Sequence, residues 1–193
     1  TKLYKQSSIN LLAICGLFFL AVNLNIKEFF KLLPEAYSGG EWIVFMISGA
    51  KLFKMYLGTN GEIIMNSKYY KILLPLAVSM AFSVVVLNDF LIDVYGTHGA
   101  AISTLVVIVI FNSIKLWYVK KKFSISPLTG KTIQLLVILT VIFLSFYFWN
   151  FKFHPIANIV LKMVLVCVAY LFLIVKLKIS PDINKLLLKV TKF

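Results

Sequence analysis

Arginine is missing from this chain: all 20 of its basic residues are lysine, and only seven acids oppose them, for a net charge of +13. Histidine and cysteine are scarce, at two each. His98 and His154 have no companion ligands at metal-binding spacing, so no metal is expected. Cys15 and Cys167 both fall inside apolar stretches and read as packed free thiols rather than a disulfide. No serine-nucleophile motif and no glycine-rich phosphate loop is visible, so no catalytic residue and no cofactor is assigned. The chain also lacks any long polar stretch, which excludes a large soluble catalytic or receptor domain within it.

What it has instead is apolar length. Hydrophobic residues make up 61% of the chain and the mean hydropathy is +0.93, far above an ordinary soluble domain. No charge falls between Lys5 and Lys27, between Asp93 and Lys115, or between Lys131 and Lys152. A helix needs about 20 apolar residues to cross a hydrocarbon core of about 30 Å. Lipid offers no partner for backbone groups, so several such runs predict helices packed together. The expectation is an all-α polytopic membrane helical bundle of six transmembrane helices, at residues 8–25, 39–57, 72–92, 99–118, 132–149 and 156–175. Lys51, Lys54 and Lys162 interrupt the second and sixth spans. Gly39, Gly40 and Pro155 mark helix entries, and Gly58 with Asn60 and Gly61 marks an exit into a turn. Pro75 falls in the first turn of the third span, where a missing N–H costs little.

Lysine placement predicts orientation. One side carries Lys2 and Lys5, then Lys51, Lys54, Lys68 and Lys71, then Lys115, Lys120, Lys121, Lys122 and Lys131, then the lysines from Lys176 onward. The other side has Lys27, Lys31 and Lys152 beside Glu28, Glu35, Glu41, Asp89 and Asp93. The positive-inside rule therefore places both termini in the cytoplasm. A soluble chain this basic would point to nucleic acid. Here the charge sits at span ends and sets topology, so the expected partner is the lipid bilayer and not nucleic acid. After Pro181, Ile183, Leu187 and Val190 face away from Lys185, Lys189 and Lys192. That pattern predicts either a short helix on the anionic inner leaflet or a frayed end.

Polar residues inside the spans point to candidate sites. Lys51 lies ten residues beyond Glu41, about 15 Å along a helix, and Lys54 lies one turn further on the same face. Such charges either face a hydrated cavity or snorkel to the head groups, and both readings stand. Lys162, close to the outer face, is expected to snorkel outward. Asp89 and Asp93 share a helix face; they can trade a proton or hold a cation, or sit solvated at a helix exit. Glu41 heads the second span, where it complements the helix dipole. Asn10, Asn23, Asn88, Asn112 and Asn158 can line a hydrated path or bond between helices, and for any one of them the packing role is the simpler.

Two segments carry a family resemblance. In residues 58–71, Gly58, Asn60 and Gly61 form a turn that leads into a short apolar run and then Lys68, Tyr69, Tyr70 and Lys71. In residues 87–104, Asn88, Leu91, Ile92, Tyr95, Gly96, Gly99, Ala100 and Ala101 stand at matching positions of an outer-turn pattern, with Asp93 where proline is usual. Both resemble the polysaccharide transporter family, the oligosaccharide or O-antigen flippases of the multidrug/oligosaccharidyl-lipid/polysaccharide flippase superfamily. The likeness covers most of residues 8–118; the last two spans agree only in number and hydrophobicity.

The resemblance implies the C-terminal part of a two-lobe flippase of the bacterial inner membrane. Residues 1–118 would supply four spans of the C-terminal lobe. Residues 119–193 would supply a basic cytoplasmic loop, two further spans and an amphipathic tail. Thr1 opens the chain without methionine, and the first apolar run has no small-residue cleavage site, as expected for a piece of something longer whose N-terminal lobe is its partner. The implied activity is export by alternating access of a polyprenyl-diphosphate-linked oligosaccharide for polysaccharide biosynthesis, such as the O-antigen of lipopolysaccharide. Lys51 and Lys54, by position, with Asn88 and Asp89, are the candidate substrate contacts. An enzyme of the same pathway, a polymerase or ligase, is a competing reading, although short and nearly neutral outer loops argue against it. A half-size subunit that dimerises is another.

Overall fold

The computed structural model describes residues 2–37, 39–149 and 154–184. Among them every regular element is a helix. In chain order these are α1 (Lys2–Phe30), α2 (Glu41–Tyr56), α3 (Asn60–Met65), α4 (Leu73–Tyr95), α5 (Thr97–Phe123), α6 (Gly130–Tyr147) and α7 (Pro155–Lys176). Single 3-10 turns at Glu35–Tyr37 and Tyr70–Ile72 complete the set.

The boundaries follow local chemistry. Pro34 closes the turn after α1, because it can donate no N–H to continue the helix. Gly39 takes φ +87° before α2 and Gly58 takes φ +61° after it, a region that costs glycine nothing. Glu41 is the first residue of α2. Gly96 breaks α4 from α5 at φ 58°, ψ −139°, and Ser124 ends α5 in the left-handed region. Before α6 a capping box forms: the Thr129 hydroxyl accepts from the Thr132 N–H at 3.2 Å, and the Thr129 N–H donates to the Thr132 hydroxyl at 3.2 Å. Pro155 occupies the first turn of α7.

Among the described residues five helices, α1, the segment Tyr70–Tyr95 containing α4, α5, α6 and α7, are long and apolar enough to cross a membrane. The sixth expected span, residues 39–57, folds differently. Its helix α2 has 16 residues, about 24 Å at 1.5 Å per residue, short of a full hydrocarbon core. Lys51 and Lys54 in its second half shorten the apolar part further.

The outward faces settle what surrounds these helices. In α7, Asn158, Lys162, Val166, Tyr170 and Ile174 form one buried row at every fourth position. The opposite row, Ile156, Val160, Val164, Val168 and Phe172, is exposed and wholly apolar. α6 repeats this with Ile133, Val137, Val141 and Leu144 exposed, and α4 with Leu74, Val78, Phe82 and Val85. A water-soluble helix carries polar groups on its outer face. Several long helices with apolar outer faces make this a multi-pass membrane protein.

The chain divides into two compact units. The first joins the start of α1, through Ser8, to the stretch Trp42–Pro127. Its centre is the α4–α5 hairpin. Gly99 sits so close to the end of α4 that an added Cβ would stand 1.9 Å from the Leu91 carbonyl oxygen. Further along, the Ser103 hydroxyl donates to Asn88 Oδ1 across the hairpin. Where the chain turns back toward α4, Tyr4, Ile64 and Val119 form a small core with Ile63, Ile72, Leu73, Tyr118, Phe123 and Ile125. The Tyr69 ring meets Tyr118 and Phe123 edge-on, while the Lys68 and Lys122 ammonium groups lie 5.3 and 5.1 Å from its centroid.

The second unit joins the rest of α1, from Ile9, to the chain beyond Leu128. α1 contributes Leu12, Ala13, Leu20 and Leu24, and α6 contributes Leu135, Ile138, Leu139 and Ile142. Gly16 allows α1, α6 and α7 to meet: a Cβ there would lie 2.8 Å from Leu139 Cδ2 and 2.9 Å from Tyr170 Oη. The Tyr170 hydroxyl donates to the Ala13 carbonyl at 2.7 Å. After α7, Ser180 donates to Asn10 Oδ1 at 2.6 Å, and Asn10 donates to Asp182 at 2.7 Å, tying the segment after α7 to α1. Of the expected tail helix only its start, through Asn184, belongs to the described residues.

Candidate functional site

The four sequence-derived candidates occupy two places in the first unit. Lys51 and Lys54 lie one turn apart on α2, and both are exposed. Lys54 has a neighbour that sequence reading assigned only to a loop. Lys115 of α5, half-buried, lies within electrostatic reach of Lys54 and of Glu62 on α3. Lys115 therefore feels one further cation and one carboxylate, each carried by a different helix. An ammonium group is a compact, strongly hydrated point charge, suited to phosphate oxygens. The net positive sign favours an anion over a cation.

Asn88 and Asp89 lie elsewhere, on α4. With Val85, Val86, Ile92 and Asp93 they line an open groove of about 490 Å³. Asp89 and Asp93 do share one helix face, as their spacing requires. Asn88 is engaged by Ser103, so its amide links α4 to α5. Lys51 and Lys54 do not line this groove. The lysines and the Asn88–Asp89 pair are thus separate features of one unit.

The intramembrane asparagines resolve mostly as local packing. Asn23 donates to the Phe19 carbonyl at 2.8 Å and Asn112 to the Ile108 carbonyl at 2.7 Å, each one turn back. Such bonds satisfy an amide in apolar surroundings without another helix. Asn25 makes the same bond, to Ala21 at 2.8 Å.

Lys162 corrects an expectation. It does not snorkel: the residue is 3% exposed, and its ammonium donates to the Leu24 carbonyl of α1 at 3.3 Å. Glu28, four residues beyond Leu24, is 5% exposed and pairs with Lys31 at 2.7 Å. Sequence reading missed this cluster because it placed Glu28 in a loop and Lys162 at the lipid boundary. The usable signal was the spacing of Asn158, Lys162, Val166, Tyr170 and Ile174, which puts the lysine on the same face as the Tyr170 anchor.

Among the described residues no group of three histidine, cysteine or acidic side chains could hold a metal ion. Cys15 and Cys167 are free and half-buried. No family model, no curated protein and no solved structure matches this chain.

Proposed function

We propose that this chain flips a lipid-linked oligosaccharide from the cytoplasmic to the outer leaflet of the bacterial inner membrane, for polysaccharide biosynthesis. The observation that carries this reading is that Lys54 and Lys115, from two helices of a unit with largely apolar outer faces, lie within electrostatic reach of one another. Charge in such a unit is expensive and is retained where something charged must be met. A diphosphate carried on a polyprenyl chain has the complementary parts: an anion for the lysines and a hydrocarbon tail for the bilayer. The resemblance of residues 58–71 and 87–104 to polysaccharide flippases points the same way. So does the turn chemistry, since the matching Gly96 and Gly99 stand where a positive φ and a close approach require glycine.

In this reading the chain contributes six spans, α2 being a short one that presents Lys51 and Lys54 to the substrate head group. Both termini lie in the cytoplasm, and a further N-terminal lobe completes a cavity that opens alternately to each side. The test is complementation. In a strain lacking its own flippase, the complete gene restores surface polysaccharide and clears lipid-linked oligosaccharide from the inner leaflet. Accumulation of that lipid despite normal membrane abundance of the protein would reject flipping. A change in glycan chain length or attachment without a change in flipping would point to a polymerase or ligase.

A further inference from the structure

One end of the second unit gathers five polar or charged side chains, of which Glu28 and Lys162 are buried. α1 brings Lys27, Glu28 and Lys31, α7 brings Lys162, and α6 brings Tyr147, whose ring lies 4.8 Å from the Lys27 ammonium. Asn23, Leu24, Lys27, Glu28, Tyr147 and Lys162 together line a cavity of about 10 Å³. An ammonium group has three N–H donors, and among the described residues Lys162 donates to the Leu24 carbonyl at a long 3.3 Å. Glu28 feels Lys162 electrostatically and stands on the same cavity. A space of about 10–15 Å³ accepts one water molecule when its walls are polar. Here the walls supply a charged donor on one helix and a charged acceptor on the other.

We propose that Lys162 and Glu28 hold one water molecule between α7 and α1, forming a hydrated ionic lock at the end of α1 that carries Lys31. The water accepts a hydrogen bond from the Lys162 ammonium and donates one to the Glu28 carboxylate, so each buried charge keeps a share of solvation. Lys31, 60% exposed in its side chain, closes the lock from outside by pairing with Glu28. The lock does not depend on the transport reading; it fixes α1 against α7 whatever the protein carries.

Two measurements on the complete protein in lipid nanodiscs test it. The first is a double-mutant cycle on thermal unfolding. Glu28→Gln strands the Lys162 charge and should lower the midpoint by about 5 °C or more. Lys162→Met should cost less, because Glu28 keeps Lys31, and adding it to Glu28→Gln should recover most of the loss. If Glu28→Gln fails to accumulate, recovery of accumulation in the double variant is the equivalent result. Losses that simply add would overturn the lock. The second is hydroxyl-radical footprinting by X-ray radiolysis, which labels side chains beside bound water. Leu24 is only 5% exposed, yet should be oxidised in the wild type and about threefold less in Lys162→Met, which removes the water's donor. An unlabelled Leu24, or labelling unchanged by Lys162→Met, would overturn the water.

Discussion

Gly99→Ala prevents the α4–α5 hairpin from closing, and the protein loses most of its abundance in the membrane. The added methyl group would stand 1.9 Å from the Leu91 carbonyl oxygen and 2.3 Å from its carbon. These are backbone atoms of the last turns of α4, so no rotamer change relieves the clash; the two helix ends must separate. Overpacking of this kind costs about 3 kcal/mol, a large fraction of the stability of any single unit. Separation also breaks the Ser103–Asn88 bond one turn further on. Gly49→Ala is the matched control. Nothing lies within 4 Å of a Cβ at that position, and alanine is the better helix former by about 1 kcal/mol. Membrane abundance and the midpoint of thermal unfolding should therefore fall sharply for Gly99→Ala and hold or rise for Gly49→Ala. Equal behaviour of the two would show that the close approach is not needed.

Lys51→Ala lowers export by about tenfold or more at unchanged membrane abundance. A charge-assisted contact to a phosphate is worth about 1.5–3 kcal/mol, and tenfold corresponds to about 1.4 kcal/mol. Lys54→Ala should lower export less, for two reasons. Lys51 lies deeper in the span, where interfacial charge cannot replace it. Lys54 has Lys115 close by, which keeps positive charge at the site when Lys54 is removed. Lys51→Arg should retain part of the activity, since the charge survives while its geometry changes. The measurement is surface polysaccharide per molecule of membrane-inserted protein. Normal export in Lys51→Ala at normal abundance would reduce both lysines to anchors that snorkel from a short helix.

Much of the helical framework is legible in the sequence because the bilayer makes it so. Long apolar runs, and the glycines and prolines between them, locate α4, α6 and α7 within about three residues, whereas α1 and α5 run about five or six residues past the expected spans. Residues 39–57 were harder, since Lys51 and Lys54 leave their apolar length ambiguous. The folded segment is a helix of 16 residues. How the helices sort into units was not legible. α1 shares a unit with α6 and α7, which depends on the fit of Gly16 against Leu139 and Tyr170, two residues far away in the chain. The same holds for the charged sites. Lys115 counts as one of a loop's lysines until α5 brings it near Lys54, and Lys162 counts as a boundary lysine until α7 turns it toward Leu24. Sequence gives the depth of a charge in the membrane, whereas its partner depends on helix rotation and packing.

Everything proposed about transport requires the alternation of lysine-rich and lysine-poor segments to reflect real sides of one membrane. Topology mapping with paired reporters, one active only in the cytoplasm and one only outside it, tests this most directly. Fusions after Lys122 and after Phe193 should report cytoplasm, and fusions near Pro34, Gly96 and Phe153 should report the outer side. A cytoplasmic signal at Gly96, or an outer signal at Lys122, would contradict the account, because Lys54 and Lys115 could then not meet a substrate from the cytoplasmic leaflet.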